Sequence, residues 1–374
     1  AYIAWPWHPD TLFPHASKLG ALRHSVFRTL AESRRRLRRT PARIEGQFPN
    51  VTAHAEPDIL PEGTDWAAVA APHRGRGTGE QPAVTLVMPV HNEHAYLEEA
   101  VGSVQAQTFT DWRLLLVDDA STDGSDDIAR RIASEDPRVH ALRVRRPTGK
   151  RGAVALGFAL AGSPYAGEAG ADDLLHPEAL ARLVEPLEKD PTLDASFGGH
   201  RNIDSEGRLL AEYGDVVAEY TGRADLEVGR VEHVRRRQLA RGIIPAGTVA
   251  LLRRSIVGPI PRFTNTHTDT WLGWRAARTD ACWYAGHGLG DHRVHAANTM
   301  RLMFRRRKAL DRIVLRMAMI KETNPAELRW VVKTVTKDML ILIGGGLAGR
   351  HFRAPERLSH APGESEEALA ASQK

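Results

Sequence analysis

Two aspartates stand side by side, Asp172 and Asp173, inside the segment YAGEAGADDLLHPEAL (165–180). Adjacent carboxylates repel one another unless solvent, a cation or hydrogen-bond donors satisfy them. Such a pair suits a divalent-metal site, because hard oxygen ligands hold Mg2+ or Mn2+. It equally suits the solvated start of a helix, where acids are favoured and where Pro177 is well placed. The dipeptide alone leaves both readings open. The elements around it must decide.

Those elements alternate. AVTLVMPV (83–90) is a continuous apolar, β-branched run that predicts a buried parallel strand. EHAYLEEAVGSVQAQ predicts a helix with Leu97, Ala100, Val101 and Val104 at helical spacing. WRLLLVDD (112–119) is a second strand, and DGSDDIARRIASE a helix introduced by the cap-type residues Ser121, Thr122 and Asp123. VHALRVR, the helix KRGAVALGFALAG and the weak strand PYAGEAG follow, then the helix PEALARLVEPLEKD and a single strand over DASFGGHRNID. This alternation implies an α/β doubly wound domain. In such sheets ligands bind outside the carboxyl ends of the strands. PVHNE follows strand one, Asp118 and Asp119 end strand two, PTGKR follows strand three, and Asp172 and Asp173 follow strand four. Four chemically equipped loops thus fall on one sheet edge, which favours a site over a solvated turn.

The run VTLVMPVHNEHAYLEEAVGSVQAQTFTDWRLLLVDDASTDGSDDIARR closely resembles the opening of glycosyltransferase family 2, and the resemblance extends over roughly residues 83–300. It implies a GT-A fold, a Rossmann-like doubly wound mixed sheet with N- and C-terminal extensions. It also implies a nucleotide-diphosphate sugar as donor, by default a UDP-sugar, with Mg2+ or Mn2+ as cofactor. The acceptor would be a hydroxyl of a glycan, polymer or lipid-linked molecule, in cell-envelope or exopolysaccharide synthesis. By this match Pro89, Val90, His91 and Glu93 surround the base and ribose, and Asp119 accepts from a base N–H. Gly149, Lys150 and Arg151 lie at the diphosphate, Asp172 contacts the ribose, and Asp173 ligates the metal. In THTDTWLGWRAA (266–277), Asp269 matches the catalytic base of an inverting transfer; Trp271 or Trp274 stacks a sugar or fills the core. In DHRVHAANTM (291–300), Arg293 and His295 touch the diphosphate or metal. Gly170 and Thr268 stand where the family carries acids, and Val154 and Ala155 where it often carries Arg and Asn. These departures are the support for a rival reading, a catalytically degenerate transferase-like binding or membrane-scaffold protein.

The composition of the 374 residues, 42% hydrophobic and 26% charged, is that of a globular chain. A net charge of +5 favours anionic partners. No aromatic-basic module accompanies the arginine clusters, so no nucleic-acid partner is expected. One cysteine, Cys282, excludes an internal disulfide framework. The opening stretch lacks the features of a secretory signal, and no run approaches the roughly 18–20 apolar residues of a membrane span. The expectation is a cytoplasmic protein. Residues 301–322 read as a basic amphipathic helix with Leu310, Ile313, Val314 and Met317 on its apolar face. That face suits peripheral contact with the inner face of an anionic membrane, or packing on the catalytic domain. Three regions result: an extension and linker (1–82), the catalytic domain (83–300), and a helical region with a disordered tail (301–374).

Overall fold

In the computed structural model the described residues are 82–144, 147–210, 221–258 and 267–295, with isolated positions at 218, 260 and between 313 and 335. The linker, the full amphipathic helix and the tail lie outside the described residues.

The first half is built as its apolar runs demand. β1 (Val84–Val90), α1 (Leu97–Gln105), β2 (Trp112–Asp118), α2 (Ser125–Glu135), β3 (Val139–Arg143), α3 (Gly149–Leu160) and β4 (Tyr165–Glu168) follow in order. β1 pairs in parallel with β2 and β4, and β2 with β3. Every residue of β1 but Pro89 is buried, which is why the strand is apolar except at Thr85, whose hydroxyl is matched by that of Ser163 (2.7 Å). α1 buries Leu97, Ala100, Val101 and Val104, as their spacing predicts. α2 starts later than its cap-type residues suggest. Gly124 adopts φ 91° just before it, and Asp123 accepts from the Ser125 N–H (3.0 Å).

The second half comprises β5 (Leu174–Leu175), α4 (Ala179–Lys189), β6 (Ala195–Phe197), β7 (His200–Ile203), β8 (Gly229–Arg230), α5 (Val234–Arg241), β9 (Ala250–Arg253), α6 (Arg254–Val257), α7 (Thr268–Ala277), β10 (Cys282–Tyr284) and β11 (Gly290–Arg293). The large sheet runs β3-β2-β1-β4-β9-β6-β10-β8, and a small one β5-β11-β7. β9 is antiparallel to both β4 and β6, so the sheet is mixed. The single strand expected over DASFGGHRNID is in fact two, β6 and β7, in different sheets. The switch falls at Gly198, where a Cβ would lie 2.4 Å from the Leu289 side chain and 3.0 Å from the Gly286 carbonyl oxygen. The chain passes too close to that neighbour for any side chain.

Strand alternation divides the core into two layers. Val87, Leu115 and Val117 face one layer with residues of α3 and α7, including Phe158, Leu272 and Trp274. Leu86, Met88, Val90, Leu114 and Leu116 face the other, with residues of α1 and α4. In the C-terminal region Ile313, Leu315 and Met319 are buried, and the last two join the α3–α7 layer. Leu315 and Met319 are not on the apolar face expected from sequence; Ile313 is.

Candidate functional site

The loops after β1 and β2 brace one another. Asn92 takes φ 59°, a left-handed conformation that Asn tolerates better than most residues. Its N–H donates to Ser121 Oγ (3.0 Å) and its side-chain oxygen accepts from the Thr122 N–H (2.9 Å). The Glu93 N–H donates to Ser125 Oγ (2.9 Å). The His-Asn-Glu turn is thereby held rigid at the sheet edge. Pro89 is half-buried there and His91 is exposed, its Nδ1 donating to the Asp119 carbonyl oxygen (2.9 Å). Val90, expected beside a nucleotide, is 0% exposed with its side chain in the core. Only its backbone serves the edge, accepting from the Asp119 N–H (2.8 Å).

Asp119 fixes the start of α3. Its Oδ1 accepts from the Thr148 N–H (2.6 Å) and Oγ1 (2.7 Å), and its Oδ2 from the Gly149 N–H (2.7 Å). Gly149 has φ +74°, the left-handed region that favours glycine. Of about four acceptor positions on a carboxylate, these donors take three. Arg151 is half-buried in the first turn of α3. Lys150, expected at a diphosphate, instead places its Nζ 2.8 Å from Glu168 Oε1 at the end of β4. Burial pushes the Glu168 carboxyl up to about 7, although the Lys150 charge opposes this. Glu168 escaped the sequence reading; the signal was an acid inside a strand.

The two aspartates do different work. Asp173 is 6% exposed. Its Oδ1 accepts from His292 Nδ1 (2.9 Å) and the Arg293 N–H (3.0 Å), and its Oδ2 from Thr248 Oγ1. Burial would raise its pKa, but His292 and these donors together hold it far below the usual carboxylate range. Asp173, the expected metal ligand, thus joins the β4–β5 loop to β11 and to the segment before β9. Asp172 is the more open of the two. Its Oδ2 lies 3.1 Å from His295 Nε2. Glu93, Asp172 and His295 each present a ligand atom, all within 4.8 Å of one another. Burial, and then the Asp172 charge, push the Glu93 carboxyl up to about 7. Two carboxylates and an imidazole suit a divalent cation such as Mn2+ or Mg2+, and a cation there would relieve the repulsion that raises Glu93.

Arg293 is 1% exposed and faces no open site. Its Nε donates to the Asp172 carbonyl oxygen (3.0 Å), Nη1 to those of Asp204 (3.3 Å) and Ser205 (3.2 Å), and Nη2 to Glu99 (2.6 Å). It holds the loop from behind, a correction to the diphosphate contact expected of it. Asp269 is exposed in the first turn of α7, where its Oδ1 accepts from the Thr270 N–H (2.7 Å). A Cβ at Gly247 would lie 3.7 Å from Asp269 Cβ and 3.8 Å from Glu168 Oε1, so the start of α7 faces the end of β4 across that glycine. Trp271 and Trp274 are both buried, which places both in the core.

Gly170 is not a simple vacancy. A Cβ there would lie 2.6 Å from Asp173 Oδ2 and 3.0 Å from Asp172 Oδ1. Gly170→Asp, which supplies the acid the family resemblance implies, is expected to push both carboxylates aside. Overpacking of this kind costs 1–3 kcal/mol, so Mn2+ affinity measured by calorimetry should fall about 10-fold rather than rise.

A doubly wound sheet with a reversed strand beyond β4 and an acidic loop at its carboxyl edge defines a GT-A fold. Residues 85–258 match the sequence model of glycosyl transferase family 2. The O-antigen biosynthesis protein RfbC of Myxococcus xanthus is 32% identical over 171 residues, 43% of this chain and 13% of that protein. The putative teichuronic acid biosynthesis glycosyltransferase TuaG of Bacillus subtilis is 30% identical over 138 residues, 36% of this chain and 54% of that one. The chain thus spans only part of the length of either relative. Among solved structures, the mannosyltransferase PcManGT of Pyrobaculum calidifontis, in complex with GDP-Man and Mn2+, superposes with a TM-score of 0.51 at 16% identity. The match covers 79% of this chain and 80% of that one.

Proposed function

We propose that the protein is an inverting glycosyltransferase. It moves a sugar from a nucleotide-diphosphate sugar, a UDP-sugar in the first instance, to a hydroxyl of a glycan, polymer or lipid-linked acceptor. The observation that carries this reading is the convergence of Glu93, Asp172 and His295 at the sheet edge that also holds Asp119. The names of RfbC and TuaG support a place in cell-envelope polysaccharide synthesis. A degenerate scaffold is not favoured, because the ligand set and an exposed acid on α7 are both present despite Gly170 and Thr268.

In this mechanism Asp119 and the braced His-Asn-Glu turn bind and orient the nucleoside. Arg151, in the first turn of α3, meets the phosphates. Glu93, Asp172 and His295 hold Mg2+ or Mn2+, which when bound supplies Lewis-acid stabilisation of the leaving diphosphate. Asp269 accepts the proton of the acceptor hydroxyl as its oxygen attacks the anomeric carbon from the face opposite the nucleotide. That single displacement inverts the anomeric centre.

Calorimetric titration with UDP, GDP, CDP and dTDP, with and without Mn2+, tests the reading. The expected result is Mn2+-dependent binding of UDP; binding of none of the four overturns it. The same titration has a pH signature. In the cation-free protein Glu93 keeps its proton up to about pH 7, and Mn2+ must displace that proton. Mn2+ affinity should therefore fall about 10-fold per pH unit below 7 and level off above it.

A further inference from the structure

Tyr96 stands at the N-cap of α1, and its side chain makes no capping hydrogen bond. Capping residues are short and polar, because a side-chain oxygen must reach the free N–H groups of the first turn. A tyrosine forgoes that bond, so its presence is explained by what its ring touches. The ring is half-buried. It meets the His295 imidazole at a centroid distance of 5.0 Å, with the two planes 47° apart. It also lies under the Arg293 guanidinium, whose Cζ is 4.8 Å from the ring centroid. That is within the roughly 6 Å reach of a cation–π contact.

These contacts join the three groups that converge at the sheet edge. The Tyr96 N–H donates to the Glu93 carbonyl oxygen (3.0 Å), which fixes the turn that carries the Glu93 carboxylate. Above the tyrosine ring, Arg293 Nη2 donates to Glu99 on α1 (2.6 Å), and Nε donates to the Asp172 carbonyl oxygen (3.0 Å). A guanidinium that is 1% exposed and bonded on both sides does not swing away, so the ring beneath it is held as well. His295 has its imidazole against that ring and its Nε2 3.1 Å from Asp172 Oδ2. Its side chain is 9% exposed. Glu93, Asp172 and His295 come from three loops. Tyr96 touches the first and the last directly and reaches Asp172 through Arg293.

We propose that Tyr96 is a positioning residue for the cation. Its ring, held by Arg293, sets the plane of His295, while its backbone sets the turn at Glu93. An imidazole lone pair lies in the ring plane, so the orientation of His295 decides where a cation can sit. Hydrogen bonds to the far ring nitrogen commonly orient such ligands; here an aromatic face does so. The proposal rests on the cation reading of the Glu93, Asp172 and His295 cluster.

The test is calorimetric Mn2+ titration of the full chain, run below the melting temperature of each variant. Tyr96→Leu keeps an apolar side chain and loses the ring. It should bind Mn2+ about 10-fold more weakly, the scale of losing a group that orients a ligand. Tyr96→Phe keeps the ring and should match the wild type. Tyr96→Met carries the same expectation as Tyr96→Leu and replaces it should that variant not fold. A Tyr96→Leu protein that melts lower yet binds Mn2+ as the wild type does makes the ring a packing element and overturns the proposal. A Tyr96→Phe protein as weak as Tyr96→Leu moves the effect to the hydroxyl and overturns it too. A wild type that binds no Mn2+ sinks the cation reading itself, and the role of Tyr96 with it.

Discussion

Asp172→Ala is expected to abolish Mn2+-dependent UDP binding and to lower turnover about 1,000-fold, the scale of losing a main electrostatic stabiliser of a leaving group. Its melting temperature should stay near that of the wild type, because Asp172 is partly open and meets only His295 with its carboxylate. Asp173→Ala should do the reverse. It strands three donors, His292 Nδ1, the Arg293 N–H and Thr248 Oγ1, in a buried setting. Breaking a buried charged network in this way costs about 3–5 kcal/mol, so the variant should melt well below the wild type while its folded fraction still takes up Mn2+. Paired thermal melts and Mn2+ titrations separate the two. If Asp173→Ala melts normally and loses Mn2+, the metal belongs to Asp173 as the sequence comparison implies, and the division of labour drawn from the geometry is wrong.

That division explains what could and could not be read from the chain. The first half was legible because its information is local: apolar runs for β1 and β2, and the Leu97–Val104 stripe of α1, each fixed by neighbours a few residues away. The sheet edge was legible for the same reason, since polar residues fall directly after each strand. The two aspartates look equivalent in sequence because what distinguishes them is remote. Thr248 is 75 positions from Asp173, His292 is 119 and Arg293 is 120. The break between β6 and β7 depends likewise on Leu289, which lies far along the chain from Gly198. Glu168 is the instructive miss. An acid within a strand that also reads as weakly apolar is a local anomaly, and its partner Lys150 was in view, but nothing in the sequence pointed one at the other. The Glu93, Asp172 and His295 constellation joins three loops, and family resemblance supplied each member without their grouping.

Glu168 also sharpens the question of the base. Asp269→Asn should lower kcat about 1,000-fold, within the range that a positioned general base supplies. The KM for the donor and the melting temperature should stay unchanged. The reasoning is geometric. Asp269 is exposed on the first turn of α7, open to an incoming acceptor, and an asparagine oxygen can still accept from the Thr270 N–H. Glu168 faces it across Gly247 and has a carboxyl raised to about 7, a value that also suits a base. Yet Glu168 is 0% exposed and ion-paired to Lys150, so an acceptor hydroxyl has no route to it. Glu168→Gln should therefore act through Lys150, loosening the start of α3 and raising the donor KM while kcat holds. Steady-state kinetics on the two variants decide the matter. If turnover survives Asp269→Asn and collapses in Glu168→Gln, the proton goes to Glu168, and the floor of the site must open for the acceptor to reach it.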